Sequence, residues 1–159
     1  MAWNPLTIKG TVVLDANVAI SVSAKEAATE VKAKSTLAQY TSRGYVFFAP
    51  GVIVSETLYA LCNQLTNALL TPTEYRQAIL DFEALMKNVE PPPNGDASLI
   101  LRADQICTGY GASRSADAIY IALAEELSLT YPTRLLTFDR GVPNQAARNA
   151  PTVSVHLLT

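Results

Sequence analysis

The chain has 159 residues, 49% hydrophobic and 16% charged, with a formal net charge of −2. Such a composition excludes a disordered or low-complexity chain, and such a length predicts one domain, 1–159, burying roughly 70% of the surface its unfolded form exposes. No apolar run reaches the roughly eighteen residues of a membrane span, and MAWNPLTIKG lacks the basic and apolar segments of a secretory signal, so the expected compartment is the cytoplasm with no membrane partner.

The first element is the stretch TVVLDANVAI, Thr11 to Ile20. Val12, Val13 and Leu14 read as a buried strand that runs straight into Asp15, with Asn17 two residues on. In an open parallel α/β sheet, ligands collect at the carboxyl ends of the strands. Asp15 is therefore either the floor of a site or the cap of the short helix that follows. Good helix formers predict a helix over Lys25 to Gln39, stopped at Gly44. VFFA, residues 46–49, is a second short buried strand before Pro50. The next helix is predicted from Gly51 to Leu70, and there Val52, Ile53, Glu56 and Ala60 share one stripe, which sets Glu56 among apolar neighbours.

Thr71, Pro72 and Glu74 form a capping box with proline at the first helical position. The helix they open presents Tyr75, Ala78, Ile79, Phe82, Leu85 and Met86 to a core. Val89 to Pro93 reads as an edge strand, because proline cannot donate to a central ladder. Asn94 and Gly95 turn the chain, Asp96 is expected to cap a helix from Ala97 to Thr108, and Gly109 and Gly111 end it. A further helix, from Ser113 to Leu127, is apolar on nearly every side between Ala118 and Ala124, with Asp117 near its start. Leu135 to Phe138 is a third buried strand and ends at Asp139, the arrangement seen at Asp15. A short helix over Gln145 to Arg148 and a strand over Thr152 to Leu157 close the chain. Strands separated by helices, without hairpin turns, predict a three-layer α/β/α sandwich on a central parallel sheet.

Cys62 and Cys107 are isolated in predicted helices, with no CxxC spacing and no adjacent histidine, so neither a zinc site nor a redox pair is expected and both read as reduced, mostly packed residues. Of the fourteen acidic residues, Glu26, Glu30, Glu74, Asp81, Glu83, Glu90, Glu125 and Glu126 lie where solvent explains them. Four do not: Asp15 and Asp139 close apolar strands, and Glu56 and Asp117 are embedded in apolar helices. A buried, uncompensated carboxylate is expensive, so such a set calls for a positive partner. Lysine and arginine are scarce around Asp15 and Glu56. A hard divalent cation, Mg²⁺ or Mn²⁺, suits oxygen donors unaccompanied by histidine or cysteine. One or two such ions, about 4 Å apart where two bind, activate water and stabilise the leaving oxygen of a phosphodiester.

The succession LDANVAI, VSETLYAL, SADAIYIALAEEL and LLTFDRGV resembles the PIN domain family and, within it, the VapC-type ribonuclease toxins of prokaryotic toxin–antitoxin modules. The likeness runs from Val12 to the last strand. It implies a Mg²⁺- or Mn²⁺-dependent endoribonuclease, with metal binding and catalysis at Asp15, Glu56, Asp117 and Asp139 and with Asn17 and Thr137 orienting the acids by hydrogen bonds. It also implies a cognate antitoxin and a homodimer. Where family members often carry another acid after the last aspartate, this chain has Arg140 and Gly141, which weighs against a second tightly held metal.

Candidate RNA contacts are Arg114, Arg140 and Ser115, with Arg148 and Arg43 behind them. Ser113 or Ser115 also serves as a helix cap. His156 reads as a structural hydrogen-bonding group, and Phe47, Phe48, Tyr120 and Phe138 as core. Two other functions are open: a PIN fold that binds RNA or a protein without turnover, and a phosphatase with Asp15 as nucleophile, for which Asn17 is the wrong second residue.

Overall fold

The computed structural model describes residues 7–110 and 115–159, with the backbone alone at Ser115 and Ala116. Five strands alternate with helices: β1 (Gly10–Leu14), α1 (Ala16–Ser23), α2 (Glu30–Ser42), β2 (Tyr45–Phe48), α3 (Val52–Thr66), α4 (Pro72–Met86), β3 (Val89–Glu90), α5 (Ile100–Gly109), α6 (Ser115–Ser128), β4 (Thr133–Thr137), α7 (Val142–Asn149) and β5 (Val155–Leu157). All strand pairs are parallel, in the order β3-β2-β1-β4-β5. β1 lies at the centre and is buried along its whole length, as its unbroken apolar run requires. α1 packs against α2, α3 and α4, while α6 lies on β1 and β4 and against α5. The result is the expected three-layer sandwich.

The strand order decides where a ligand can bind. From β1 the chain builds outward to β2 and β3, then returns to place β4 on the other side of β1. Helices leaving the carboxyl ends of β1 and β4 therefore diverge, and a crevice opens between the ends of those two strands. Asp15 follows β1 directly, and Asp139 stands two residues beyond β4.

Several elements differ from the sequence reading, each for an identifiable reason. The helix expected from Lys25 begins only at Glu30. Lys25 adopts φ 53°, a left-handed conformation that stops helical continuation. Glu26 is drawn into tertiary bonds, accepting from Thr29 Oγ1 at 3.3 Å and from Gln64 Nε2 of α3 at 3.1 Å. α3 ends at Thr66, and the next four residues are turn. The capping box at Thr71 forms as expected, with Thr71 N donating to Glu74 Oε2 at 2.8 Å and Glu74 N to Thr71 Oγ1 at 3.2 Å.

Asp96 does not cap its own helix. A 3-10 turn, Asp96–Leu99, precedes α5, and the Asp96 carboxylate instead accepts the backbone N–H of Gly51 at 2.9 Å, at the head of α3. A side chain at Gly51 would collide with that carboxylate, since a Cβ there would lie 2.7 Å from Asp96 Oδ2. Negative charge at a helix N-terminus is favourable, so Asp96 helps fix the helix that carries Glu56.

Glu125, expected in solvent, is only partly exposed and receives Arg102 of α5 at 2.5 and 2.8 Å. Cys62, expected to be packed, is exposed, and Cys107 is half-buried. The Tyr40 hydroxyl and His156 Nδ1 are 2.7 Å apart, the hydrogen-bonding role expected of that histidine. Among the described residues no helix is long and apolar enough to cross a membrane.

Candidate active site

The ends of β1 and β4 are stitched together by short polar side chains. Thr137 Oγ1 lies 2.6 Å from Asp15 Oδ2, 3.0 Å from Asn17 Nδ2 and 3.0 Å from the Asp139 backbone N. A hydroxyl has one proton to give and two lone pairs, so Thr137 donates to Asp15 and accepts from the other two. Asn17 Nδ2 spends its second proton on Asp15 Oδ2 at 2.9 Å, and its Oδ1 accepts Phe138 N at 3.1 Å. Asp15 occupies the N-cap position of α1, yet its side chain makes no capping hydrogen bond. The Asp15 carboxylate is turned toward the end of β4, where the Thr137 hydroxyl and the Asn17 amide hold one of its oxygens.

Asp15 is 7% exposed. Burial pushes its pKa up to about 6; the Thr137 hydrogen bond opposes this, the charges of Asp117 and Glu56 add to it, and Asn17 opposes it in turn. Glu56 of α3 and Asp117 of α6 are therefore both within electrostatic reach of Asp15. Asp139 is joined to Asp15 through Thr137, whose hydroxyl oxygen accepts the Asp139 backbone N–H. Its Oδ1 accepts Gly141 N at 2.7 Å, which closes a tight turn into α7.

Two residues that the sequence reading left out of the site complete the arrangement. Tyr120 was expected to be plain core, and its ring is indeed buried, but its hydroxyl donates to Glu56 Oε2 at 2.7 Å. Burial and the neighbouring Glu56 push the phenol pKa far upward, so it remains a fixed proton donor. Its spacing from Asp117, three residues along α6, puts both on one helix face and was a readable signal. Gln145 of α7 is 4% exposed and donates from Nε2 to Asp117 Oδ2 at 3.0 Å. Nothing in the local sequence announces that contact. One oxygen of each acid is thus held by neutral donors: Asp15 by Thr137 and Asn17, Glu56 by Tyr120, Asp117 by Gln145 and Asp139 by a backbone amide.

Among the described residues, no three acidic, histidine or cysteine side chains stand close enough to form a complete metal cage. The donor set is nonetheless all carboxylate oxygen, the chemistry hard cations prefer.

The candidate substrate residues fare unequally. Arg140 is exposed beside Asp139. Arg148 lies over the Tyr110 ring at 5.9 Å. Arg43 follows α2 directly before β2, at the amino end of the sheet and away from the crevice. Arg114, Ser113 and the Ser115 side chain lie outside the described residues.

No curated protein matches the sequence. Solved structures do match the fold. The chain of VapBC2 from Rickettsia felis, bound to a DNA fragment from their promoter, superposes with a TM-score of 0.65 at 10% identity, covering 94% of this chain and 99% of that one. A chain of FitAB bound to an IR36 DNA fragment superposes with a TM-score of 0.54 at 20% identity, covering 92% of this chain and 94% of that one. The PIN domain family model matches residues 12–148. With its family model spanning β1 to α7, this chain belongs to the PIN domain family.

Proposed function

We propose that the chain is a Mg²⁺- or Mn²⁺-dependent endoribonuclease that hydrolyses RNA phosphodiesters in the cytoplasm as a single domain, 1–159, and serves as the toxin of a two-gene toxin–antitoxin module. The observation that supports this reading is that Glu56 and Asp117 lie within electrostatic reach of Asp15, and that among the described residues the hydrogen-bond partners of Asp15 and Glu56 are neutral. A buried carboxylate such as Asp15, with two half-buried acids of the same sign acting on it, is unfavourable unless a cation joins them.

Asp15, Glu56, Asp117 and Asp139 would hold the metal, which when bound supplies an activated water and charge stabilisation at the phosphate. Thr137 and Asn17 fix the Asp15 carboxylate, and Tyr120 fixes that of Glu56. Arg140 at the rim, with Arg114 and Ser115 beside Asp117 in sequence, are the proposed contacts to the RNA backbone. An antitoxin that covers the acidic crevice and a second copy of the chain are the proposed protein partners. The likeness in fold to a chain of VapBC2 bound to a DNA fragment from their promoter supports the first.

Asp15→Asn removes the charge with hardly any change of volume. The variant is expected to lose Mg²⁺- or Mn²⁺-dependent cleavage of single-stranded RNA while keeping its fold; cleavage at the parent's rate defeats the reading. A second reading, a PIN fold that binds RNA or protein without turnover, is favoured by the lack of a complete metal cage among the described residues. Calorimetry with Mn²⁺ separates the two, since binding that Asp15→Asn abolishes belongs to the enzyme alone.

A further inference from the structure

We infer that Gln145 is a positioning residue for Asp117, and that α7 is the element that delivers it; the inference rests on the proposed nuclease reading. Gln145 shares the inward face of α7 with Val142 and Ala146. Because a carboxylate only accepts, the contact with Asp117 Oδ2 orients the amide with Nε2 toward the acid. That orientation leaves Oε1 buried and, among the described residues, without a hydrogen-bond partner. An aliphatic side chain of the same length would fill the space without stranding an acceptor. The glutamine is thus a poor choice for packing and a fitting one for holding a carboxylate without neutralising it.

The anchoring of α7 supports the same assignment. At its far end Arg102 Nη2 donates to the Asn149 carbonyl at 2.7 Å while the same guanidinium grips Glu125 of α6. Gly109 of α5 makes room for the Asn149 side chain, because a Cβ there would lie 2.6 Å from Asn149 Oδ1. At its near end, the turn closed by Asp139 leads into the helix. α7 is therefore seated between one acid of the crevice and the α5–α6 pair, and the Gln145 amide reaches α6 at a set position. A neutral donor here steers one Asp117 oxygen and keeps the charge of the acid intact.

The test is Gln145→Met, which keeps length and loses the donor, with Gln145→Leu alongside in case the first variant does not fold. Mn²⁺ affinity by calorimetry, kcat and KM on single-stranded RNA, and the Asp117 carboxyl carbon resonance are measured for the parent and the variant. The variant is expected to melt at or above the parent's temperature and to bind Mn²⁺ about tenfold more weakly or worse. Its kcat should fall while KM for RNA moves less than about twofold, and the Asp117 resonance should shift. Parent-like Mn²⁺ affinity and kcat overturn the inference and leave the nuclease reading standing. If the parent itself neither binds Mn²⁺ nor cuts RNA, the nuclease reading fails, and the resonance decides alone: a shift upholds the contact between Gln145 and Asp117, and an unmoved signal overturns it.

Discussion

The acidic crevice and the junction of α5 with α6 treat their carboxylates in opposite ways. At the junction Glu125 meets the Arg102 guanidinium on two sides, and that pairing raises the arginine's pKa. In the crevice Asp15 is more deeply buried than Glu125, yet among the described residues its partners are a hydroxyl and an amide, and the charges that act on it, Asp117 and Glu56, are of its own sign. An acid that serves the fold is given a cation within the chain. An acid held by neutral donors against like charges is orientated at the expense of stability, which is the expected signature of a site prepared for something the chain does not itself contain.

Asp15→Asn breaks this contrast with the largest effect. A carboxyl whose pKa stands at about 6 in the folded chain and 3.8 in its ordinary state weakens the folded state by about 3 kcal/mol at pH 7 and above. The asparagine variant should therefore be more stable than the parent by up to that amount in urea unfolding without metal, while cleaving no RNA. A variant both inactive and less stable would mean that Asp15 is a structural residue.

The same shift sets a pH dependence. The folded-state pKa of Asp15 is raised, so the folded chain binds the proton more tightly than the unfolded chain. The stability this contributes is complete below pH 3.8 and is lost as the pH rises through about 6. Between pH 7 and pH 4, metal-free parent should gain stability relative to Asp15→Asn, and parallel pH profiles would contradict the assignment.

Tyr120→Phe is the next largest. It removes the hydroxyl that donates to Glu56 Oε2 from α6 and should lower cleavage about 10- to 100-fold, as loss of groups that orient metal ligands commonly does. Its stability should change by about 1 kcal/mol. Activity within twofold of the parent would return Tyr120 to the plain core role that its helix suggests. Glu125→Gln sharpens the comparison from the other side: it keeps a hydrogen-bond acceptor for Arg102 and loses a partly solvent-screened charge pair. Urea unfolding should show a loss under about 1 kcal/mol, with RNA cleavage unchanged.

Much of the molecule was legible along the chain. Val12 to Leu14 and Leu135 to Phe138 announce buried strands because nothing else accommodates such apolar runs between polar breaks, and Thr71 announces α4 because its capping chemistry is complete within four residues. Local chemistry likewise singled out Asp15, Glu56, Asp117 and Asp139, since carboxylates stand out among apolar neighbours. The residues that hold those acids were harder to read. Tyr120 looks like core because most of it is core, and only its final atom meets Glu56. Asp96 looks like the cap of the nearest helix, whereas the amide it meets is 45 residues away.

The sequence by itself determined which segments are strands and helices and that the sheet is parallel, because those properties follow from periodicity and from the absence of hairpin turns. Only the tertiary structure decided that β4 lies beside β1, that Asp15 turns to Thr137, and that Gln145 reaches Asp117. Those outcomes depend on distances between residues as many as 122 positions apart, and a hydrogen bond is chosen by the nearest available partner in space, which spacing along the chain does not specify.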